Sequence, residues 1–316
     1  MPSDHLSESF VIARAEEATG ALPDVASEAG IHGALDWVGM DAIDLPLRIV
    51  GDGADWRVPA RVAALVDLPG SARGIHMSRL YLTLDECLSG STLTPALLDD
   101  VLRDFLASHA GLSSRASLRI GFDHFLRRPA LASGRAGWRR YPIRLTATRV
   151  RERFSLDVGF DIVYSSTCPA STALARQLVA ADFARAFPGD APVDRAAALR
   201  WLEGEQGMRA TPHSQRSTAT IDLRLVAGIE DVPLAGLIDA AESALGTPVQ
   251  AAVKRIDEQA FARANGENPM FCEDAARRLQ TWLDGEARVR AFRVRVAHHE
   301  SLHAHDAVAE IGRSLD

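Results

Sequence analysis

Several positions in this sequence carry side chains with chemistry to offer. Cys168 closes the run Tyr-Ser-Ser-Thr-Cys-Pro, where Pro169 stops a strand from continuing. A cysteine there is either a buried strand-end residue or a thiol turned toward a ligand. His213 lies in Thr-Pro-His-Ser-Gln-Arg-Ser, a polar loop leading into a strand, with Gln215 and Arg216 close behind. Glu273 falls about one turn inside an expected helix N-terminus, where the helix dipole favours a carboxylate. Asp257 and Glu258 read as an ordinary surface pair. The strongest signal is His298, His299, His303 and His305, four of the ten histidines within eight residues. Such a cluster suits proton transfer or metal binding, with a solvated strand end as the alternative. His303 and His305, two apart, would face one side of a strand.

A mixed set of thiol, imidazole and carboxylate is sensible for a catalytic divalent metal. Three protein ligands leave a fourth position for water, whose pKa the ion lowers to about 7. Neither CxxC nor HExxH occurs, so local spacing does not by itself bring these groups together.

The elements that must position them come in a pattern that occurs twice. Residues 1–45 have weak periodicity and are expected to form an irregular arm. In the first unit, 46–150, alternating apolar residues from Val58 to Leu68 predict a half-buried strand, and a second strand is expected over His76 to Leu84. Thr94 and Pro95 open a helix that Gly111 ends. Strands through Leu118–Phe122 and Tyr141–Ala147 follow. In the second unit, 151–316, Phe154 to Ile162 alternate as a strand, and Ile221 to Leu225 give the next. The insertion between them, 171–210, reads as helical, with Leu174, Leu178 and Ala181 on one face. A helix from Leu234 to Leu245 stops at Gly246, Asn268 is expected to cap another with Pro269 at its first position, and Val294 and Val296 begin the closing strands. The last of these is expected near Leu302. The fold class is therefore α+β with a duplicated architecture, although the two halves are not visibly similar in sequence.

Composition limits the functions available. Hydrophobic residues at 47% and charged residues at 24% over 316 positions supply a packed core for one large domain or two smaller ones. The apolar runs are much shorter than the ~20 residues of a membrane-spanning helix, and the first residues lack the pattern of a secretory signal. A cytoplasmic location is expected, with no membrane partner. Three widely separated cysteines argue against a disulfide framework. A net charge of −7 argues against nucleic acid as a partner, while leaving room for a local basic pocket.

Five segments together resemble the type IB GTP cyclohydrolase family, over nearly the whole chain after the arm. They are Gly74-Ile75-His76-Met77-Ser78-Arg79, Thr167-Cys168-Pro169, His213-Ser214-Gln215-Arg216-Ser217, Glu267-Asn268-Pro269 with Phe271 and Glu273-Asp274, and His303-Ala304-His305. The resemblance implies two tunnelling-fold units with antiparallel sheets. These would assemble into barrels, as a homotetramer with sites at subunit interfaces. It implies Cys168, His213 and Glu258 as ligands of one divalent metal (zinc, manganese or iron), and Glu273 as the carboxylate that anchors the purine. Cys168, His303 and His305 are implied as catalytic groups, with Arg216 as a substrate contact. The implied reaction adds water to C8 of GTP with metal assistance. The ring opens, formate is released, and rearrangement gives 7,8-dihydroneopterin triphosphate, a precursor for folate or another pterin-like pathway.

The sequence departs from that family in two places. Many members have Cys-Pro-Cys where this chain has Cys168-Pro169-Ala170, and the interval from Cys168 to His213 is enlarged by the helical insertion. The alternatives are another tunnelling-fold pterin or purine enzyme, and a purine-binding paralogue weakened in catalysis.

Overall fold

The computed structural model describes residues 31–51 and 54–314; the expected arm up to residue 30 lies outside them. Alternation of apolar and polar residues produces eight strands, which pair in chain order as one antiparallel sheet. They are β1 (Leu35–Gly51), β2 (Ala54–Leu68), β3 (Arg115–Pro129), β4 (Ala136–Val150), β5 (Arg153–Thr167), β6 (Ser214–Leu225), β7 (Val289–His298) and β8 (Ala307–Arg313). Residues 35–45, expected to be irregular, instead begin the edge strand β1. Their weak periodicity has a cause: the β1–β2 register shifts twice, between Leu35 and Val38 and between Met40 and Ile43. Each shift reverses which residues face the core.

Two helices, α1 (Met77–Leu88) and α2 (Pro95–Ser108), lie between β2 and β3. Residues 76–84 were expected as a strand. Leu80, Leu84 and Leu88 are all fully buried, and a repeat of four puts them on one face of a helix. The expected α2 is present, with the Thr94 hydroxyl accepting a hydrogen bond from Leu97 N–H at 3.2 Å and Pro95 in the first turn. In the second half, α3 (Pro169–Ala186) and α4 (Arg195–Glu203) fill the interval between β5 and β6. The α3 face marked by Leu174 and Leu178 is exposed, at 60% and 57%, whereas Thr172 and Ala175 are buried. Packing of Phe183 and Phe187 against Trp201 joins α3 to α4.

Between β6 and β7 run α5 (Leu234–Leu245), α6 (Arg255–Glu267) and α7 (Cys272–Asp284). Gly246 ends α5 at φ +82°, a conformation that glycine adopts without strain. The first half runs strand, strand, helices, strand, strand, and the second follows the same order with α3 and α4 added between its first two strands. One face of the sheet is covered by helices and forms a continuous apolar core from Leu45 to Val296. The other face carries exposed ion pairs between strands, among them Arg224 with Asp157 at 2.7 Å and Arg144 with Asp161 at 3.2 Å. No helix among the described residues is long and apolar enough to cross a membrane.

Candidate active site

The register of β5 and β6 places the first two candidate residues side by side. Thr167 pairs with Ser214, and just beyond this pair Cys168 N–H donates to the His213 carbonyl at 3.2 Å. Cys168 is also the N-cap of α3, its sulfur accepting from Ser171 N–H at 3.4 Å. Alternation then sets the direction of each side chain. Tyr164, Ser166, Gln215 and Ser217 are buried on the helix-covered face, while Arg216 is exposed on the opposite one. Arg216 is therefore not brought to the same side as Cys168 within one chain.

A small cavity of about 160 Å³ opens on the helix-covered side, lined in part by Cys168, Gln215, Cys272, Glu273, His298 and Glu300. Pockets for drug-sized ligands are usually about 300–1,000 Å³, so the cavity of one chain is too small to enclose a ligand of that size. Glu273 stands in the first turn of α7. The helix begins at Cys272, three residues later than Pro269, because Asn268 serves as the C-cap of α6 rather than the N-cap of α7. The Asn268 amide donates to Leu245 O at 2.9 Å and its oxygen accepts from Arg278 at 2.6 Å. Met270 N–H donates to Thr167 O at 3.0 Å. Together these bonds fasten the α7 N-terminus to the end of β5. The backbone N–H of Glu273 and the Cys272 thiol, at 3.2 Å, hold the Glu273 carboxyl below the usual carboxylate range. An ionised carboxylate in that cavity can accept two hydrogen bonds from adjacent N–H groups of a heterocycle.

A buried polar chain orients His213. The Gln215 amide nitrogen donates to Ser166 Oγ at 3.0 Å, which is 2.7 Å from Ser217 Oγ. The Gln215 oxygen is left facing His213 Nδ1 at 2.9 Å, so Nδ1 carries the proton and Nε2 keeps its lone pair. That leaves Nε2 as the nitrogen able to ligate a cation, with an orienting partner on Nδ1. His213 and Cys168 thus fit a divalent cation in chemistry. Glu258 does not join them within one chain. It is exposed on the first turn of α6, and among the described residues no three His, Cys, Asp or Glu side chains form a metal-binding group. Its neighbour Asp257 is fully buried. The Asp257 carboxylate accepts from the backbone N–H groups of Ala132, Ser133 and Lys254 at 2.7–2.8 Å; the Ser133 side chain first, and then these backbone bonds, lower its pKa.

His303 and His305 do not lie on a strand. The last strand starts at Ala307, and both residues occupy the exposed loop before it. Their rings still share a side, stacked with centroids 5.0 Å apart. His299 turns to the open face, between Thr218 at 3.0 Å and Asp306 at 2.9 Å. His298 alone of the four is buried in the core, with Nε2 2.8 Å from the Tyr164 hydroxyl. Burial lowers its pKa to about 4 and pushes that of the Tyr164 hydroxyl well above the usual phenol range. The sequence reading did not single out Tyr164 or Glu300. Tyr164 shares the strand face of Cys168, four residues on, which is a signal of placement but not of role. Glu300 reaches to 3.6 Å from His213 Nδ1 only because the chain leaves β7 there.

A thiol, an anchored carboxylate and a buried histidine thus line one cavity on an antiparallel α+β frame of eight strands. The family model for type I GTP cyclohydrolase FolE2 matches residues 22–309, and the chain belongs to that family. It is 51% identical over 289 residues to the GTP cyclohydrolase FolE2 of Pseudomonas putida, covering 91% of this chain and 94% of that one. Solved structures of similar shape include the uricase from Arthrobacter globiformis, 9% identical with a TM-score of 0.49 over 89% of this chain and 93% of that one. Another is the uricase from Bacillus fastidious, 8% identical with a TM-score of 0.46 over 88% and 92%.

Proposed function

We propose that this chain hydrolyses GTP at its imidazole ring, releasing formate and yielding 7,8-dihydroneopterin triphosphate. The observation that carries this reading is the Glu273 carboxylate at the α7 N-terminus, in one cavity with Cys168 and beside the oriented His213. Family membership and 51% identity to a GTP cyclohydrolase FolE2 support it. Glu273 accepts hydrogen bonds from the N–H groups of the guanine edge and fixes the base. Cys168 and His213 hold a divalent cation (zinc, manganese or iron), with Glu258 as the further ligand. The cation, when bound, supplies Lewis acidity at C8. His303 and His305 transfer protons during ring opening and closure, a role that histidine side chains commonly take.

Glu258, Arg216, His303 and His305 all stand outside the cavity of one chain. The reading therefore takes the enzyme as a cytoplasmic homotetramer, with sites completed where chains meet and sheets closed into barrels. The open edges β1 and β8 support this, because unpaired edges are a liability that association removes.

One observation favours a second reading, binding without turnover: Ala170 stands where many members of the family have a second cysteine. Incubating metal-reconstituted protein with GTP decides between the two. Formate together with a fluorescent pterin after oxidation is expected. Tight GTP binding with no formate would leave the second reading standing instead.

A further inference from the structure

The proposed reaction uses neither His298 nor His299 of the C-terminal cluster, and of these two His298 lines the same cavity as Glu273. It is 2% exposed, and its partner Tyr164 is fully buried. The hydrogen bond between the two fixes which ring nitrogen carries the proton. A buried phenol O–H that donates to nothing costs about as much as a lost hydrogen bond. Among the described residues, the partner found for the Tyr164 hydroxyl is His298 Nε2, at 2.8 Å. Tyr164 therefore donates and Nε2 accepts, which leaves the proton of the neutral imidazole on Nδ1. Nδ1 has no hydrogen-bond partner among the described residues and is not one of their sealed, unsatisfied atoms. It remains available to the cavity as a donor.

We propose that His298, locked by Tyr164, determines specificity by donating from Nδ1 to the purine 6-carbonyl oxygen, beside the N–H groups that Glu273 accepts. The inference rests on Glu273 being the guanine anchor. Guanine presents two donors and one acceptor in a row along that edge. A carboxylate satisfies the donors and is repelled by the acceptor, so a fixed donor must stand next to it. His298 supplies one without adding positive charge, since its burial keeps it neutral until the pH falls to about 4. Adenine, which has an amino group at position 6, would set donor against donor. A site that must pair a buried polar group rejects such a base more strongly than one relying on shape.

The test uses full-length protein and 7-deaza-GTP, whose ring lacks the amidine that is opened, so binding is read without turnover. Kd is compared for 7-deaza-GTP and its 6-thio counterpart, in which sulfur is a weak acceptor. Wild type is expected to prefer the oxygen compound by about tenfold, the worth of one hydrogen bond of ~1.4 kcal/mol. His298→Ala and His298→Gln should erase that preference. His298→Asn should keep most of it, because the Asn amide nitrogen falls near the place of Nδ1, whereas the Gln amide falls near Nε2. Tyr164→Phe should reduce it, since the tautomer is then no longer fixed. An unchanged preference in His298→Ala overturns the proposal, as does a loss in His298→Asn equal to that in His298→Gln. The anchor reading is tested separately by the analogue lacking the 2-amino group: if Glu273→Ala leaves discrimination against that analogue intact, the anchor is wrong whatever His298 does.

Discussion

At the scale of single residues, two positions separate binding from chemistry. On the proposed reading Glu273 holds the base before and during reaction, so Glu273→Ala should weaken nucleotide binding strongly. The loss is about 1–3 kcal/mol or more, since the purine donors are left without partners. His303→Ala should bind nucleotide almost normally and turn over about 10²–10⁴-fold more slowly, as a lost proton-transfer group does. Calorimetry with an unreactive GTP analogue, alongside steady-state rates, reads both quantities. The reverse pattern would mean that anchor and acid–base group have been exchanged.

His298 makes a second residue-scale prediction, about stability. Its pKa is about 4 in the folded chain, against about 6.5 for an unperturbed histidine. Between those values the unfolded chain binds a proton that the folded one excludes, so stability falls as pH drops from about 6.5 to about 4. The groups acting on the ring are Glu273 and Asp274 on α7, which favour its protonation, and His299 beside it, which opposes it; desolvation outweighs them all. The contribution is on the order of 3 kcal/mol. Denaturant midpoints of wild type and His298→Asn should therefore converge as the pH is lowered through that window. Parallel curves would show that the imidazole is not held neutral by the fold.

At the scale of elements, the β3–β4 hairpin is tied to α5 by a half-hidden ionic knot. Glu242 accepts from Arg139 and from the Tyr141 hydroxyl, both at 2.6 Å, and lies 3.3 Å from Arg128, which also pairs with Asp239 on the same helix. Both Arg139 and Glu242 side chains are 10% exposed. Removing one member leaves the other charged in a low-dielectric place, so Glu242→Ala should cost about 3–5 kcal/mol. Thermal or urea unfolding measures it, and a change below about 1 kcal/mol would mean water reaches the arginines in place of the carboxylate. The same helix ends at Leu245, whose carbonyl is held by Asn268. Loss of this packing should therefore also disturb the approach of Glu273 to the cavity.

At the scale of the whole molecule, the question is where a complete site exists. One chain gathers Cys168, His213 and Glu273, but leaves Glu258, Arg216, His303 and His305 on other surfaces. If these meet across chains, specific activity should fall on dilution in step with dissociation of the oligomer, while circular dichroism stays unchanged. Light scattering and rate measurements on the same dilution series check this. Full activity in a demonstrated monomer would refute the shared site.

The sequence alone determined the elements whose periodicity is strong: β2 to β7 and the helices opened by Thr94 and closed by Gly246. It also carried the family motifs, because those are local strings of residues. It failed where a local pattern serves two structures. Leu80, Leu84 and Leu88 fit an α-helix, although the stretch was read as a strand; Asn268-Pro269 resembles a helix start while ending the previous one. The tertiary structure decided which residues meet. The pairing of Thr167 with Ser214 joins Cys168 to His213 across the forty-five-residue step between them, by register rather than by spacing. Burial separated His298 from its three exposed neighbours, and Asp257 from Glu258. Adjacent residues differ so sharply because a side chain's direction alternates along a strand and turns about 100° per residue on a helix. Neighbours in the chain can thus belong one to the core and the other to the surface.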